Sequence, residues 1–298
     1  SKPVVIQLQG ILTEICKRWF SAISRQEILR NSKMSSLINA KTYYHKYRLS
    51  LKKSLREQAI LDKARFILGK SDWDRGLMKA MFPQARYFRY DNVMRAPFYK
   101  MEWQLPAVDS LTIVSVINPE TYKGLDMVYR ASARLEGLGL KHTWKIIGMN
   151  SEHEIAVMMK KAAGVKGSIP SMSFLGKMDA EGIAREMALA GVFVHPSYID
   201  NSPNSVSEAM LLDMPVVSTG VGGIPDMIEH DHSGLLVKEG DYEDLVSRIL
   251  ELHTNREKAG RLGSKAREVS RERHDPERVK AVLLGVYEEV LKSFEPDI

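Results

Sequence analysis

Two carboxylates eight residues apart, Asp200 and Glu208, bracket the polar run from Asn201 to Ser207. On either side lie apolar segments, one ending at His195, Pro196 and Ser197 and the other opening at Pro215, Val216 and Val217. The pattern reads as strand, turn, helix, strand. It sets one acid just before a helix N-terminus and the other on the second turn, beside backbone N–H groups with no partner inside the helix and the positive end of its dipole. Such an end binds anions such as phosphate, and carboxylates beside it accept hydrogen bonds from sugar hydroxyls. The segment predicts a ligand in which phosphate and sugar are joined.

Within it, Ser202 is a good N-cap and Pro203 a favoured first helical residue, so the helix is expected from Pro203 to about Leu212. Its bare N–H groups would be those of Asn204, Ser205 and Val206. Capping alone accounts for Ser202 and Pro203, but not for Glu208, whose neighbours Val206, Ala209, Met210 and Leu211 belong in a core. That carboxylate needs a partner such as a ribose diol, or must reach solvent. Lys123 and Gly124 follow a strand-like run and its loop at the same sheet edge, where a lysine can reach a phosphate as a flexible point charge. Gly176 and Lys177 end another strand, and Gly176 is either a turn glycine or a place where backbone approaches a flat ring. The turn from Thr219 to Pro225 carries Gly220, Gly222 and Gly223. It could admit a diphosphate or sugar, although its spacing is not a dinucleotide fingerprint.

These residues need a frame of strands to bring them together. From Leu111 onward, strand-like runs at 111–117, 143–148, 171–175, 191–195, 215–219 and 234–237 alternate with helix-like segments, the pattern of a doubly wound α/β sheet. Helices at about 241–253, 256–272 and 276–294 close the chain, the last beginning at Pro276. Before residue 100 only three strands are legible, at 4–8, 64–69 and 85–90. With them come a basic helical region over 24–62, rich in tyrosine, and a helix N-capped by Ser71. Three strands are few for a doubly wound domain, so the first sheet is expected to be truncated. Gln104 to Ala107 is the expected linker, dividing the chain into a partial N-terminal domain, 1–106, and a C-terminal domain, 107–298.

The 298 residues are 44% apolar, enough for two cores. Charge is uneven: residues 1–106 hold 21 Lys and Arg against 8 Asp and Glu, roughly +13, and the remainder 22 against 29, roughly −7. A basic half points to an anionic partner, whether lipid headgroups, an anionic acceptor or nucleic acid, unless it is simply a solvated surface. No run approaches the roughly 18 apolar residues of a membrane span, and no signal-peptide pattern is present. Cys16 is the only cysteine, so an internal disulfide is ruled out and a reducing cytoplasm is expected. No metal site is expected either, because the eight histidines lack paired-ligand spacing. Neither a GxSxG elbow nor a GxxxxGK[ST] loop occurs, which argues against a serine hydrolase and a P-loop NTPase.

With its two acids, the Ala209-Met210 pair after them, the strand opening at Pro215 and the Gly222-Gly223-Ile224-Pro225 turn, residues 111–294 resemble the C-terminal, donor-binding domain of the retaining GT-B glycosyltransferases of the group 1 family. The resemblance implies an α/β protein of two Rossmann-like domains. It also implies a nucleotide-diphospho-sugar donor, UDP- or GDP-linked, as substrate, with no separate cofactor. Asp200, where the family usually has Glu, would then act on the transferred sugar together with the backbone after it, through Asn201 and Ser202. Pro203, Asn204 and Ser205 would meet the phosphates, Lys123 the diphosphate, Glu208 the ribose, and Gly176 with Lys177 the base. The acceptor would be a glycan or a lipid-linked saccharide of surface polysaccharide synthesis, with the basic half on that acceptor or on the inner membrane leaflet; nucleic acid is not expected. Two positions depart from the family: Ile117 stands where an Arg is usual, and Gln9 where relatives often have a His. A nucleotide-sugar isomerase or hydrolase of the same fold, and a donor-binding module without catalysis, are the competing readings.

Overall fold

The structure, a computed structural model, describes residues 3–106 and 111–293. Ala107, the last residue of the expected linker, lies outside them. Three short strands, Val5–Gln7 (β1), Phe66–Gly69 (β2) and Arg86–Arg89 (β3), form a parallel sheet in the order β1-β2-β3. Six more, Leu111–Val116 (β4), His142–Ile147 (β5), Met172–Gly176 (β6), Val192–His195 (β7), Val216–Thr219 (β8) and Leu235–Val237 (β9), form a second parallel sheet in the order β6-β5-β4-β7-β8-β9. The alternation read from Leu111 onward is present strand for strand.

Helices cover both faces of the second sheet. One face packs Leu125–Gly137 (α7), Glu154–Ala162 (α8) and Tyr242–Thr254 (α11). The other packs Ala180–Ala188 (α9), Asn204–Leu211 (α10) and Arg256–Arg273 (α12). Central strands covered on both faces carry unbroken apolar runs, as β7 does with Val192, Phe193 and Val194 fully buried. The order reverses between β4 and β7, and in a doubly wound sheet the loops leaving those two strands frame the ligand crevice. Lys123 lies in the first loop and Asp200 in the second.

In the first half, the basic region over 24–62 is three helices, Arg25–Asn31 (α2), Met34–Ile38 (α3) and Tyr43–Leu61 (α4), preceded by Leu12–Arg18 (α1). Ser71 caps Asp72–Met81 (α5) through a reciprocal capping box with Asp74, as a Ser three residues before an acid predicts. The short helix Pro97–Lys100 (α6) leads towards the second sheet, and Pro276–Lys292 (α13) returns from it. Val286 and Val290 of α13 pack with Phe66, Leu68 and Tyr90 of the first. The two sheets are thus joined by chain crossing in both directions.

Candidate functional site

The loops after β4 and β7 lie against each other, with the Tyr198 N–H donating to the Tyr122 carbonyl at 2.8 Å. Gly124 begins α7 in the left-handed region at φ 73°, where a Cβ would sit 1.9 Å from the Pro196 carbonyl oxygen. Only glycine allows this approach. It brings Lys123 Nζ to 2.6 Å from Asp200 Oδ2, and His195 Nε2 lies 3.2 Å from the same oxygen. Asp200 Oδ1 accepts from the Asn201 N–H at 3.1 Å.

Burial alone would push the Asp200 carboxyl up. The Lys123 ammonium and the His195 imidazole outweigh it and hold the group far below the usual carboxylate range. Asp200 keeps 16% and Lys123 19% of its side chain exposed, so the pair is open to a ligand. Both line a cavity of about 650 Å³ between the two halves, whose far wall includes Gln9, Gly10 and Trp73.

Helix α10 starts one residue later than expected. Pro203, with φ −68° and ψ 118°, is the N-cap, and no side chain caps the helix, so Ser202 has no capping role. Proline has no N–H to give up and its extended ψ turns the chain out of the helix, so it serves as the boundary residue itself. Val206 N–H closes onto the Pro203 carbonyl at 3.0 Å, which removes it from the expected bare donors. Among the described residues the N–H groups of Asn204 and Ser205 have no capping acceptor, and a bare helix start of this kind is what an anion requires.

Glu208 has a different neighbour from either expected one. It is buried on α10, and Arg95 holds it bidentately, Nε to Oε1 at 2.6 Å and an Nη to Oε2 at 2.7 Å. Burial still raises the Glu208 carboxyl above its ordinary value, with Arg95 opposing the rise. No sequence signal marks Arg95, which stands in the loop before α6.

Asn201 carries a second long-range contact. Its buried side-chain amide donates to Asp74 Oδ2 at 2.6 Å and accepts from Ser71 Oγ at 2.5 Å, so it is spent on the capping box of α5 in the first half. Its backbone, not its side chain, faces Asp200. The glycines of the turn after β8 serve the same junction: a Cβ on Gly222 would meet the Asp200 carbonyl oxygen at 1.9 Å, and one on Gly223 the Asn201 carbonyl oxygen at 2.2 Å. Their small size fits the backbone of the acid-bearing loop.

Gly176 adopts φ 70°, and its Cβ position is closed by Asn150 Oδ1 at 2.7 Å; Lys177 beside it is exposed. Ile117 extends β4 through a 2.8 Å bond to the Ile147 carbonyl, and its side chain is in the core. A cation at that position would be buried in apolar surroundings. Gln9 accepts from Lys70 Nζ at 3.0 Å, and burial pulls the Lys70 ammonium below its ordinary value. Lys70, Arg95 and His195 escaped the sequence reading. His195 alone had a usable signal, its place at the end of a strand five residues before Asp200.

Residues 100–269 match the family described as glycosyl transferases group 1. The chain belongs to this family. The chain is 31% identical over 148 residues to the amylovoran biosynthesis glycosyltransferase AmsK of Erwinia amylovora, a match covering 48% of the chain and 36% of AmsK. It is 29% identical over 151 residues to the putative colanic acid biosynthesis glycosyltransferase WcaL of Escherichia coli K12, covering 47% of the chain and 35% of WcaL. The chain thus spans about a third of the length of these curated relatives in its matches. Its fold is that of solved GT-B enzymes. Sucrose-phosphate synthase from Thermosynechococcus elongatus superposes with a TM-score of 0.72 at 17% identity, covering 97% of this chain and 68% of that one. Anabaena Alr3699/HepE, solved in complex with UDP and glucose, gives 0.67 at 18% identity, covering 97% and 71%.

Proposed function

We propose that this glycosyltransferase moves a hexosyl group, with retention, from a UDP- or GDP-linked donor to a glycan or lipid-linked acceptor of polysaccharide synthesis. The observation that carries the reading is that Lys123 and the ionised Asp200, on the loops that leave the two strands at the reversal of strand order, meet at 2.6 Å and line a cavity large enough for a sugar, with the bare start of α10 following Asp200 in the chain. A diphosphate there accepts from the Asn204 and Ser205 N–H groups and from Lys123. Negative charge grows on that diphosphate as the glycosidic bond breaks, and fixed donors stabilise it without reorganising. Asp200 accepts from hydroxyls of the sugar, and the leaving phosphate oxygen takes the proton of the acceptor hydroxyl. Ribose hydroxyls donate to the Glu208 oxygens left with free lone pairs by Arg95, and Gly176 and Lys177 flank the base.

In this reading the residues up to about 106 serve the acceptor and those beyond serve the donor. The protein acts in the cytoplasm beside the inner membrane leaflet. The names of AmsK and WcaL, both glycosyltransferases of polysaccharide synthesis, favour transfer over isomerisation or hydrolysis. The UDP held by HepE favours UDP over GDP. A thermal-shift series with UDP, GDP and ADP, followed by assay with UDP-hexoses, tests it: UDP or GDP raises the melting temperature, and NMR of the product shows the donor's anomeric configuration. No shift with any nucleotide at millimolar concentration refutes donor binding. Nucleotide release without a glycosylated product identifies a hydrolase instead.

A further inference from the structure

The outer face of α4 lies at the border of the cavity, and its composition is unusual for a solvated helix. Leu49, Leu51, Leu55 and Ile60 are exposed on it, Leu55 at 62% and Ile60 at 57%. Between them project Arg48, Lys52, Lys53 and Arg56, also exposed, and among the described residues none of the four has an acidic partner at ion-pair distance. The only carboxylate of the helix, Glu57, is half-buried and accepts from the Leu12 N–H at 2.9 Å. The opposite face is committed inward, Ser54 and Leu61 being buried, while Tyr43 and Tyr44 pack against the large core beside β4. Lys53, Arg56 and Ile60 border both surfaces, since each is exposed and each also lines the cavity that holds Lys123 and Asp200.

We propose that this face of α4 is a docking surface for an anionic lipid bilayer, placed so that the catalytic cleft opens at the membrane. Exposed aliphatic side chains sink into the headgroup boundary, while long cationic side chains reach back to the phosphates. An unopposed row of four cations supplies the attraction, each worth roughly a five-fold gain in binding to an anionic surface. The same charges would also attract nucleic acid, but the tyrosines of α4 that bases would stack on are half-buried, Tyr43 and Tyr44 against the core beside β4 and Tyr47 against Trp19 and Phe20. No helix among the described residues is long and apolar enough to cross a membrane, so contact by this face is peripheral. The role given to the bilayer in delivering a lipid-linked acceptor rests on the reading above; the binding itself does not.

The experiment is flotation with extruded vesicles of phosphatidylglycerol and phosphatidylcholine, one to one, against phosphatidylcholine alone, at 0.05 and 0.5 M salt. Two double variants away from the cleft accompany the unaltered protein, Arg48→Gln with Lys52→Gln and Leu51→Ser with Leu55→Ser. UDP thermal shift without vesicles is read in parallel. Binding to the anionic vesicles only, lost at high salt and reduced roughly 20-fold or more by the charge pair and clearly by the leucine pair, with the UDP shift unchanged, is the expected result. Absence of binding to anionic vesicles overturns the proposal, as does binding indifferent to both variants. So does a dimer in sedimentation that either variant dissolves, which would make this face a contact between copies, and so does tighter salt-dependent binding to single-stranded RNA than to vesicles. Failure of the UDP shift with intact vesicle binding would refute the donor reading and leave this one standing.

Discussion

Replacing Arg95 by alanine should destabilise the protein in a way that depends on pH. Glu208 keeps 2% of its side chain exposed and Arg95 44%, with two charge-assisted bonds of 2.6 and 2.7 Å between them. Breaking a fully buried pair by removing one partner costs about 3–5 kcal/mol; the solvent around Arg95 screens the pair and reduces this to about 2–3 kcal/mol. For a chain of this length that lowers the melting temperature by about 4 °C. Burial already places the folded-state value of Glu208 above its unfolded one. The associated stability is therefore fully present below the unfolded value, near 4.3, and is lost as pH rises through the folded value. Without Arg95 the folded value rises further, so the deficit should grow between pH 5 and pH 8 and shrink in acid. Urea unfolding of the unaltered protein, Arg95→Ala, Glu208→Gln and the double variant at both pH values measures it. In the Glu208→Gln background, with no carboxylate to strand, the Arg95→Ala loss should fall below about 1 kcal/mol. A deficit that is equal at both pH values, or undiminished beside Glu208→Gln, refutes the assignment of Arg95 as the counter-charge of a buried carboxylate.

Asp200→Ala should reduce sugar transfer by at least ten-fold while changing the UDP thermal shift little, since in the proposed function the nucleotide meets Lys123 and α10 while Asp200 meets the sugar. Because the Asp200 carboxyl lies well below its unfolded value, the stability it contributes is present above about pH 4 and lost as pH falls, so the unaltered protein should lose more stability than the variant on acidification. Gly124→Ala, whose Cβ would meet the Pro196 carbonyl at φ 73°, should cost more than about 3 kcal/mol; Gly139→Ala, at φ 76° with nothing within 4 Å, should cost only about 1 kcal/mol, as calorimetry of the two would show.

The second sheet was legible because its strands are buried on both faces and therefore appear as continuous apolar runs between helix-like segments. The acids at 200 and 208 were legible because carboxylates among core residues demand an explanation. What escaped was set by long-range contact. Arg95, 113 positions from Glu208 in sequence, has nothing in its neighbours to mark it. For Asn201 the resemblance implies a contact through its backbone, and nothing near it in sequence marks that its side chain bonds to Ser71 and Asp74 of the α5 capping box, over a hundred positions away. Ser202 misled for a local reason: a serine before a proline is a good cap in isolation, and here the proline's own extended backbone ended the helix first.

Asn201 bonds rigidly to the capping box of α5, and the next residue back in the chain is Asp200. A rotation of one sheet relative to the other therefore pulls on the Asp200 carboxylate through a single peptide unit. If the donor sugar meets Asp200 as proposed, orientation of the two halves and occupancy of the donor site are thermodynamically linked, and the linkage is reciprocal: any partner that prefers one angle between the sheets changes donor affinity by the factor with which the donor changes preference for that angle.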